Sequence, residues 1–126
     1  MSIGYITIGA LDVEKALPFW DAVLGKVGYA RGPLEGDWAF YGKEGAPGVG
    51  ICKPHDGQPA RGGNGIMVAF KADSQDDVKA AYDAALANGA TDEGAPGYRP
   101  PEATSGFYGA YVRDAAGNKI CVFTGM

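Results

Sequence analysis

Few side chains in this sequence commonly carry chemistry. Its 126 residues include one histidine, His55, and two cysteines, Cys52 and Cys121. His55 lies in the turn-forming segment Pro54-His55-Asp56-Gly57, where a side chain is usually exposed and seldom reaches a substrate proton. One histidine cannot provide a pair of imidazole ligands, and two cysteines make neither a zinc motif nor a disulfide framework. The residues that could carry chemistry are therefore few, and His55 is a weak candidate among them.

Three side chains are candidate catalytic groups, namely Tyr5, Arg99 and Cys121. Cys121 becomes a nucleophilic thiolate only if a cation such as Lys119 lowers its pKa. The alternative is a small, buried and inert side chain. Arg99, in the segment Tyr98-Arg99-Pro100-Pro101-Glu102, either grips a carboxylate or phosphate with its planar guanidinium or is a solvated loop charge.

An internal repeat with an offset of 62 residues organises the chain. Trp20–Leu24 aligns with Tyr82–Leu86, and Tyr5 aligns with Met67. Each half reads as a strand, a helix and two or three further strands. The sequence therefore predicts an α+β fold of paired βαβββ modules that form one curved, cleft-bearing mixed sheet. The single domain spans residues 1–126, with module one at about 1–60 and module two at about 64–126.

Hydrophobic periodicity and capping residues place the elements. Asp12 and Ser74 are predicted to be the N-caps of the two helices. Pro18 falls inside the first helix and is expected to kink it or delay its start. The strands with clear signals are Gly4–Ile8, Trp38–Tyr41, Val49–Lys53, Ile66–Phe70, Tyr108–Val112 and Lys119–Phe123.

Strand alternation divides these residues between a core beneath the helices and a cleft on the other face. In the last predicted strand of module one, Val49–Lys53, this alternation assigns Cys52 to the core and Ile51 to the cleft. The residues assigned to the cleft are mostly aromatic or apolar. A cleft with this lining suits a flat or apolar ligand, or else the aromatic rings simply fill it. The predicted ligand-binding residues are Tyr5, Thr7, Trp38, Ile51, Met67, Arg99, Tyr108, Cys121 and Phe123, with Phe107 as the alternative to Tyr108.

Composition limits the partners and the location. The net charge of −4 and the isoelectric point near 4.8 argue against nucleic acid and anionic membranes as partners. No apolar run approaches the roughly 20 residues needed to span a bilayer. The N-terminal segment has the pattern of a strand rather than of a signal peptide, so we expect a cytoplasmic protein.

Three segments carry a resemblance to a known family, namely YITIGALDVEKALPFWDAVLGKVGY, IMVAFKADSQDDVKAAYDAALANGA and GFYGAYVRDAAGNKICVF. In that order they are similar to the start of the first module, the start of the second module and the last hairpin of the glyoxalase/bleomycin-resistance/extradiol-dioxygenase (vicinal oxygen chelate) superfamily. The resemblance covers nearly the whole chain and implies a homodimer of paired modules. Family activities include glyoxalase-type lyase or isomerase chemistry, ring-cleaving dioxygenation and metal-free sequestration of drugs.

The resemblance also implies where a metal would be bound. Carried onto this chain, the ligand positions are Tyr5, Ile51, Met67 and Cys121, and none is His, Asp or Glu. We therefore expect no metal and no other cofactor, and a protein that binds an apolar or flat small molecule in the cleft. The alternative is a lyase, isomerase or dioxygenase-type enzyme acting there, either without metal or through a shifted metal site.

Overall fold

The computed structural model describes residues 2–126, which form two successive βαβββ modules. The elements of module one are β1 Tyr5–Gly9, α1 Val13–Gly25, β2 Ala30–Glu35, β3 Trp38–Gly42 and β4 Gly48–Cys52. Those of module two are β5 Val68–Lys71, α2 Gln75–Ala87, β6 Thr91–Tyr98, β7 Tyr108–Arg113 and β8 Lys119–Thr124. The predicted α+β class and the βαβββ order are confirmed.

Both helices begin where their caps predict. The Asp12 carboxylate accepts a hydrogen bond from the Lys15 backbone N–H, and the Ser74 hydroxyl accepts one from that of Asp77. Each helix has 13 residues, so the offset of 62 holds from β1 to the end of the helix. Pro18 does not delay the start of α1, which begins directly after Asp12 and continues through the proline.

The strands form two four-stranded sheets, which we call sheet one, with the order β1-β4-β3-β2, and sheet two, with the order β5-β8-β7-β6. In each sheet the first strand is parallel to the last strand of its module, and the other pairs are antiparallel. The two sheets are not hydrogen-bonded into the one curved sheet expected. Instead α1 packs against α2, and the Asn118 side-chain amide donates to the Gly9 carbonyl at 3.1 Å.

The edge strands β2 and β6 are the elements without a clear sequence signal. Each contains glycine and proline, Pro33 in β2 and Pro96 in β6, and each has an irregular register with its neighbour. An edge strand tolerates proline because the missing N–H faces away from the sheet. These strands therefore lack the period-two pattern that identifies a buried strand.

One continuous hydrophobic core lies between the helices and the sheets. It includes Trp20 and Leu24 of α1, Val78 of α2 and Ile120 of β8. The helices thus cover one face of each sheet and leave the other, which we call the open face, without a covering element. No helix within residues 2–126 is long and apolar enough to cross a membrane.

Candidate functional site

The register of β4 decides which residues lie on the open face of sheet one. Ile51 pairs with Ile8 on one side and with Ala39 on the other, and its side chain is 0% exposed in the core. Gly50 and Cys52, its chain neighbours, therefore face the open side. The prediction that Ile51 lines the cleft and that Cys52 lies in the core is wrong.

The error has a simple physical origin. The strand sequence Gly48-Val-Gly-Ile-Cys52 contains no polar residue, so alternation of polar and apolar side chains does not fix its register. Burial of apolar area does fix it, because the register that buries Val49 and Ile51 hides two large side chains while the other hides mainly glycine. Because the predicted register of β4 is off by one residue, every side chain of this strand is assigned to the opposite face.

The same correction changes the counterpart of Cys121. Ile8 and Phe70 are related by the 62-residue offset, and they pair with Ile51 and Val122 respectively. One residue earlier on each strand, Cys121 corresponds to Gly50 rather than to Ile51. The four positions where the resemblance places metal ligands are therefore Tyr5, Gly50, Met67 and Cys121.

Aromatic rings lie directly on glycines across the open face of sheet one. A Cβ atom at Gly50 would come within 2.7 Å of the Trp38 ring, and one at Gly48 within 2.5 Å of the Phe40 ring. Tyr5 meets Phe40 edge to face, with ring centroids 5.9 Å apart. Trp38 is nevertheless 41% exposed, and Thr7 is also exposed on this face. These residues form a broad apolar surface that no part of residues 2–126 covers.

An open groove of about 720 Å³ runs beside these rings. Its volume lies in the range of small-molecule sites. It is lined by Ala30, Arg31, Gly32, Pro33, Glu35, Trp38, Phe40 and Gly42. A second cavity, of about 340 Å³, lies on the helix side where the modules meet, and none of the predicted site residues lines it.

Sheet two has a similar arrangement at one end. Phe107 lies over Gly109, where a Cβ would come within 2.7 Å of its ring, and it stacks on Phe123 at a centroid distance of 5.4 Å. Tyr108 is instead buried in the core and packs edge to face on Tyr98. The assignment of Tyr108 to the ligand-binding surface is wrong because alternation along the strand directs Tyr108 into the core. Its neighbour Phe107 faces the open side instead. Phe107 was the stated alternative.

The polar groups of sheet two gather around Tyr111, a residue that the sequence analysis missed. Tyr111 pairs with Cys121 across the β7–β8 hairpin. The Arg99 guanidinium carbon lies 5.4 Å and the Lys119 ammonium 5.7 Å from the centre of its ring. The turn at 114–118 would have indicated Tyr111, because it fixes the register of the hairpin and so identifies the partner of Cys121.

The environment of Cys121 does not favour a thiolate. Its side chain is 1% exposed, and burial raises the pKa of the thiol to about 11 against the opposing effects of Tyr111, Arg99 and Lys119. At pH 7 such a thiol is ionised in only about one molecule in ten thousand. Burial also raises the pKa of Cys52. The geometry therefore supports Cys121 as a packing residue more than as a nucleophile.

The four family ligand positions do not make a site for a hard divalent ion. They offer a phenol, no side chain, a thioether and a protonated thiol from Tyr5, Gly50, Met67 and Cys121, whereas such ions take carboxylate or imidazole ligands. Across residues 2–126, no three His, Cys, Asp or Glu residues lie close enough together to hold a metal ion. His55 is exposed in the turn after β4.

Comparisons with known proteins agree with this architecture. The sequence model of the Glyoxalase/Bleomycin resistance protein/Dioxygenase superfamily matches residues 2–122. A glyoxalase/bleomycin resistance protein from Albidiferax ferrireducens T118 is 37% identical, with 97% of each chain covered and a TM-score of 0.86. A family enzyme from Burkholderia phytofirmans PsJN has the same fold at 18% identity, with all of both chains covered and a TM-score of 0.75. No curated protein matches the sequence.

Proposed function

This chain belongs to the Glyoxalase/Bleomycin resistance protein/Dioxygenase superfamily, and we propose that it binds a flat, largely apolar small molecule on its open sheet faces without a metal ion. The observation that carries the proposal is the pair of rings, Trp38 and Phe40, lying on Gly50 and Gly48. Planar ligands stack on such rings, and the groove beside them has room for one. The donor groups at the family's ligand positions support binding rather than metal-assisted turnover.

Metal analysis tests the metal-free part of the proposal. We expect less than about one-tenth of an equivalent of Mn, Fe, Ni or Zn per chain in protein purified without chelator. Calorimetric titration with Mg²⁺, Mn²⁺ or Ni²⁺ should give no saturable heat. About one tightly bound ion per chain, with lyase, isomerase or dioxygenase turnover on metal addition, would overturn the proposal and favour an enzyme with a shifted site.

Ligand binding is tested with neutral planar aromatics, 2-naphthamide first. The Trp38→Ala substitution should weaken binding at least about fivefold, because it removes a stacking surface worth roughly 1 kcal/mol or more. Leu86→Ala is the matched control, since Leu86 is similarly exposed but lies on α2, away from the open faces. Titration calorimetry gives both affinities. Equal binding by the wild type and Trp38→Ala would contradict the proposed surface.

We also propose that the chain assembles as a homodimer and, from the sequence alone, that it is cytoplasmic. Large apolar side chains are exposed on or beside the open faces, and β1 and β5 are free edge strands that could pair with a second copy. The exposed residues are Ile3, Tyr5, Trp38, Phe40, Ile66 and Met67. We expect the dimer mass by light scattering at tens of micromolar, and a monomer under those conditions would refute it.

A further inference from the structure

Two cations of sheet two, Arg99 and Lys119, approach one tyrosine ring and take part in no ion pair with another described residue. The ion pairs of the described residues 2–126 join Lys15 to Asp12, Arg31 to Asp21 and Arg113 to Glu93, so neither Arg99 nor Lys119 takes part in one. Both are only partly exposed, and both approach the same ring, that of Tyr111. Other cations of the described residues also lie outside ion pairs, Lys71 of β5 among them, so what distinguishes Arg99 and Lys119 is that both approach one ring.

Arg99 is held in place by the backbone of β6, the strand that it directly follows. Its guanidinium donates to the Ala95 carbonyl at 2.8 Å and to the Tyr98 carbonyl at 3.0 Å. Two glycines, Gly94 and Gly97, make room for it, because a Cβ at either position would come within about 3.2 Å of the guanidinium nitrogens. The remaining N–H groups are available to an oxyanion, for which the planar fork of arginine is well suited.

An apolar platform adjoins this cationic pair. On β7 the residues that face the open side are Gly109, Tyr111 and Arg113, with Phe107 just before the strand, and on β8 they are Lys119, Cys121 and Phe123. Arg113 is neutralised by its ion pair with Glu93. Two residues along a strand span about 6–7 Å. The stacked rings of Phe107 and Phe123 therefore lie about one aromatic ring's length from the Tyr111 row, where the cations are.

We infer that the open face of sheet two binds a planar organic anion, with its carboxylate held by Arg99 and Lys119 and its flat body against Phe107, which rests on the buried ring of Phe123. This inference rests on the proposed function and names the chemical class of the ligand. A carboxylate is the preferred acid group because it presents two oxygens in the plane of the ligand, which matches one guanidinium edge beside a single ammonium.

The test compares two probes of the same shape, 2-naphthoate and 2-naphthamide, by titration calorimetry. The wild type and Trp38→Ala, which lacks the stacking surface proposed on sheet one, should both bind the carboxylate at least about tenfold more tightly than the amide, and added salt should reduce that preference. Lys119→Gln and Arg99→Gln should each remove most of the preference and leave the affinity for the amide unchanged. Lys79→Gln is the matched control, because it removes the same charge from an exposed position on α2.

The variants separate a binding role from a structural one. Arg99→Gln loses two backbone hydrogen bonds and could perturb β6, whereas Lys119 makes no side-chain hydrogen bond within the described residues, so its loss isolates the charge. Arg99→Lys, which keeps the charge without the fork, should recover only part of the preference.

Failure of this inference differs from failure of the proposed function. Equal binding of both naphthalene probes, in the wild type and in Lys119→Gln, would overturn the anion site while leaving flat-ligand binding intact. If the amide does not bind, the proposed function fails, and benzoate then tests the anion site alone. Millimolar benzoate should shift the Arg99 side-chain N–H resonance in nitrogen–proton spectra of wild-type protein, and an unshifted resonance would overturn the inference.

Discussion

The Ile51→Ala substitution tests the strand register on which the site depends. Ile51 is 0% exposed and packs between Ile8 and Ala39, so the substitution leaves a cavity in the core. Deletions of this kind cost about 2–5 kcal/mol in the free energy of unfolding. For a chain of 126 residues, an unfolding entropy of about 2.1 cal/mol/K per residue converts this loss into a fall of roughly 8–19 °C in Tm.

Met67→Ala is the matched control, because Met67 is a comparably large apolar residue that is 42% exposed beside the open face. Its loss should cost less than about 1 kcal/mol, since much of its surface is already in contact with water. Urea unfolding followed by circular dichroism, at one fixed protein concentration, measures both free energies. A cost below 1 kcal/mol for Ile51→Ala, together with a larger one for Met67→Ala, would refute the register.

Three further predictions concern the two cysteines, the glycine beneath the Trp38 ring and the hydrogen bond between the modules. Maleimide should label Cys52 before the buried Cys121 in native protein. Both labelling rates should rise with pH, because maleimide reacts with the thiolate and burial raises both thiol pKa values, that of Cys121 to about 11. Gly50→Ala should displace the Trp38 ring, increase acrylamide quenching and cost about 1–3 kcal/mol in denaturant unfolding. Asn118→Ala should lower the free energy of unfolding by about 1–3 kcal/mol, because it breaks the hydrogen bond between modules.

Each of these has an outcome that contradicts it. Mass spectrometry of single Cys→Ser variants assigns the labelling rates, and faster modification of Cys121 would show that β8 is less protected than its burial indicates. Quenching of Trp38 that is unchanged by Gly50→Ala would mean that the ring does not rest on that glycine; Trp38→Phe controls for Trp20, which is buried. An Asn118→Ala variant as stable as the wild type would exclude a role for that amide in joining the modules.

Local signals in the sequence were enough to predict the helices and the repeat. Asp12 and Ser74 cap helices at equivalent positions because capping depends on a side chain and a backbone N–H only three residues apart. The hairpin strand β8 was also placed correctly, with Ile120 and Val122 in the core. In the first part of that strand, the large apolar residues Ile120 and Val122 alternate with Lys119 and Cys121.

The site was harder to predict because its residues depend on register and on neighbours distant in sequence. In β4 every residue is apolar, so only competition for burial decides that Ile51 goes to the core. Tyr108 and Phe107 differ by one position and by nothing else that a sequence pattern detects. Of the two cations around Tyr111, Arg99 directly follows β6, whose irregular edge pairing no pattern in the chain predicts.

The rings that rest on Gly48 and Gly50 also restrict how this sequence can evolve. A carboxylate at position 50 requires a Cβ atom where the Trp38 ring already lies, 2.7 Å away. Replacing the tryptophan first would uncover the backbone of Gly50 and gain no ligand. Each change alone therefore disturbs the packing of Trp38 on Gly50 without completing a metal site. A mutational path from this chain to a family-type metal site must pass through an intermediate that has lost this packing and does not yet bind metal. Glycine is usually regarded as permissive, but at position 50 it makes the return to a metal-binding residue difficult.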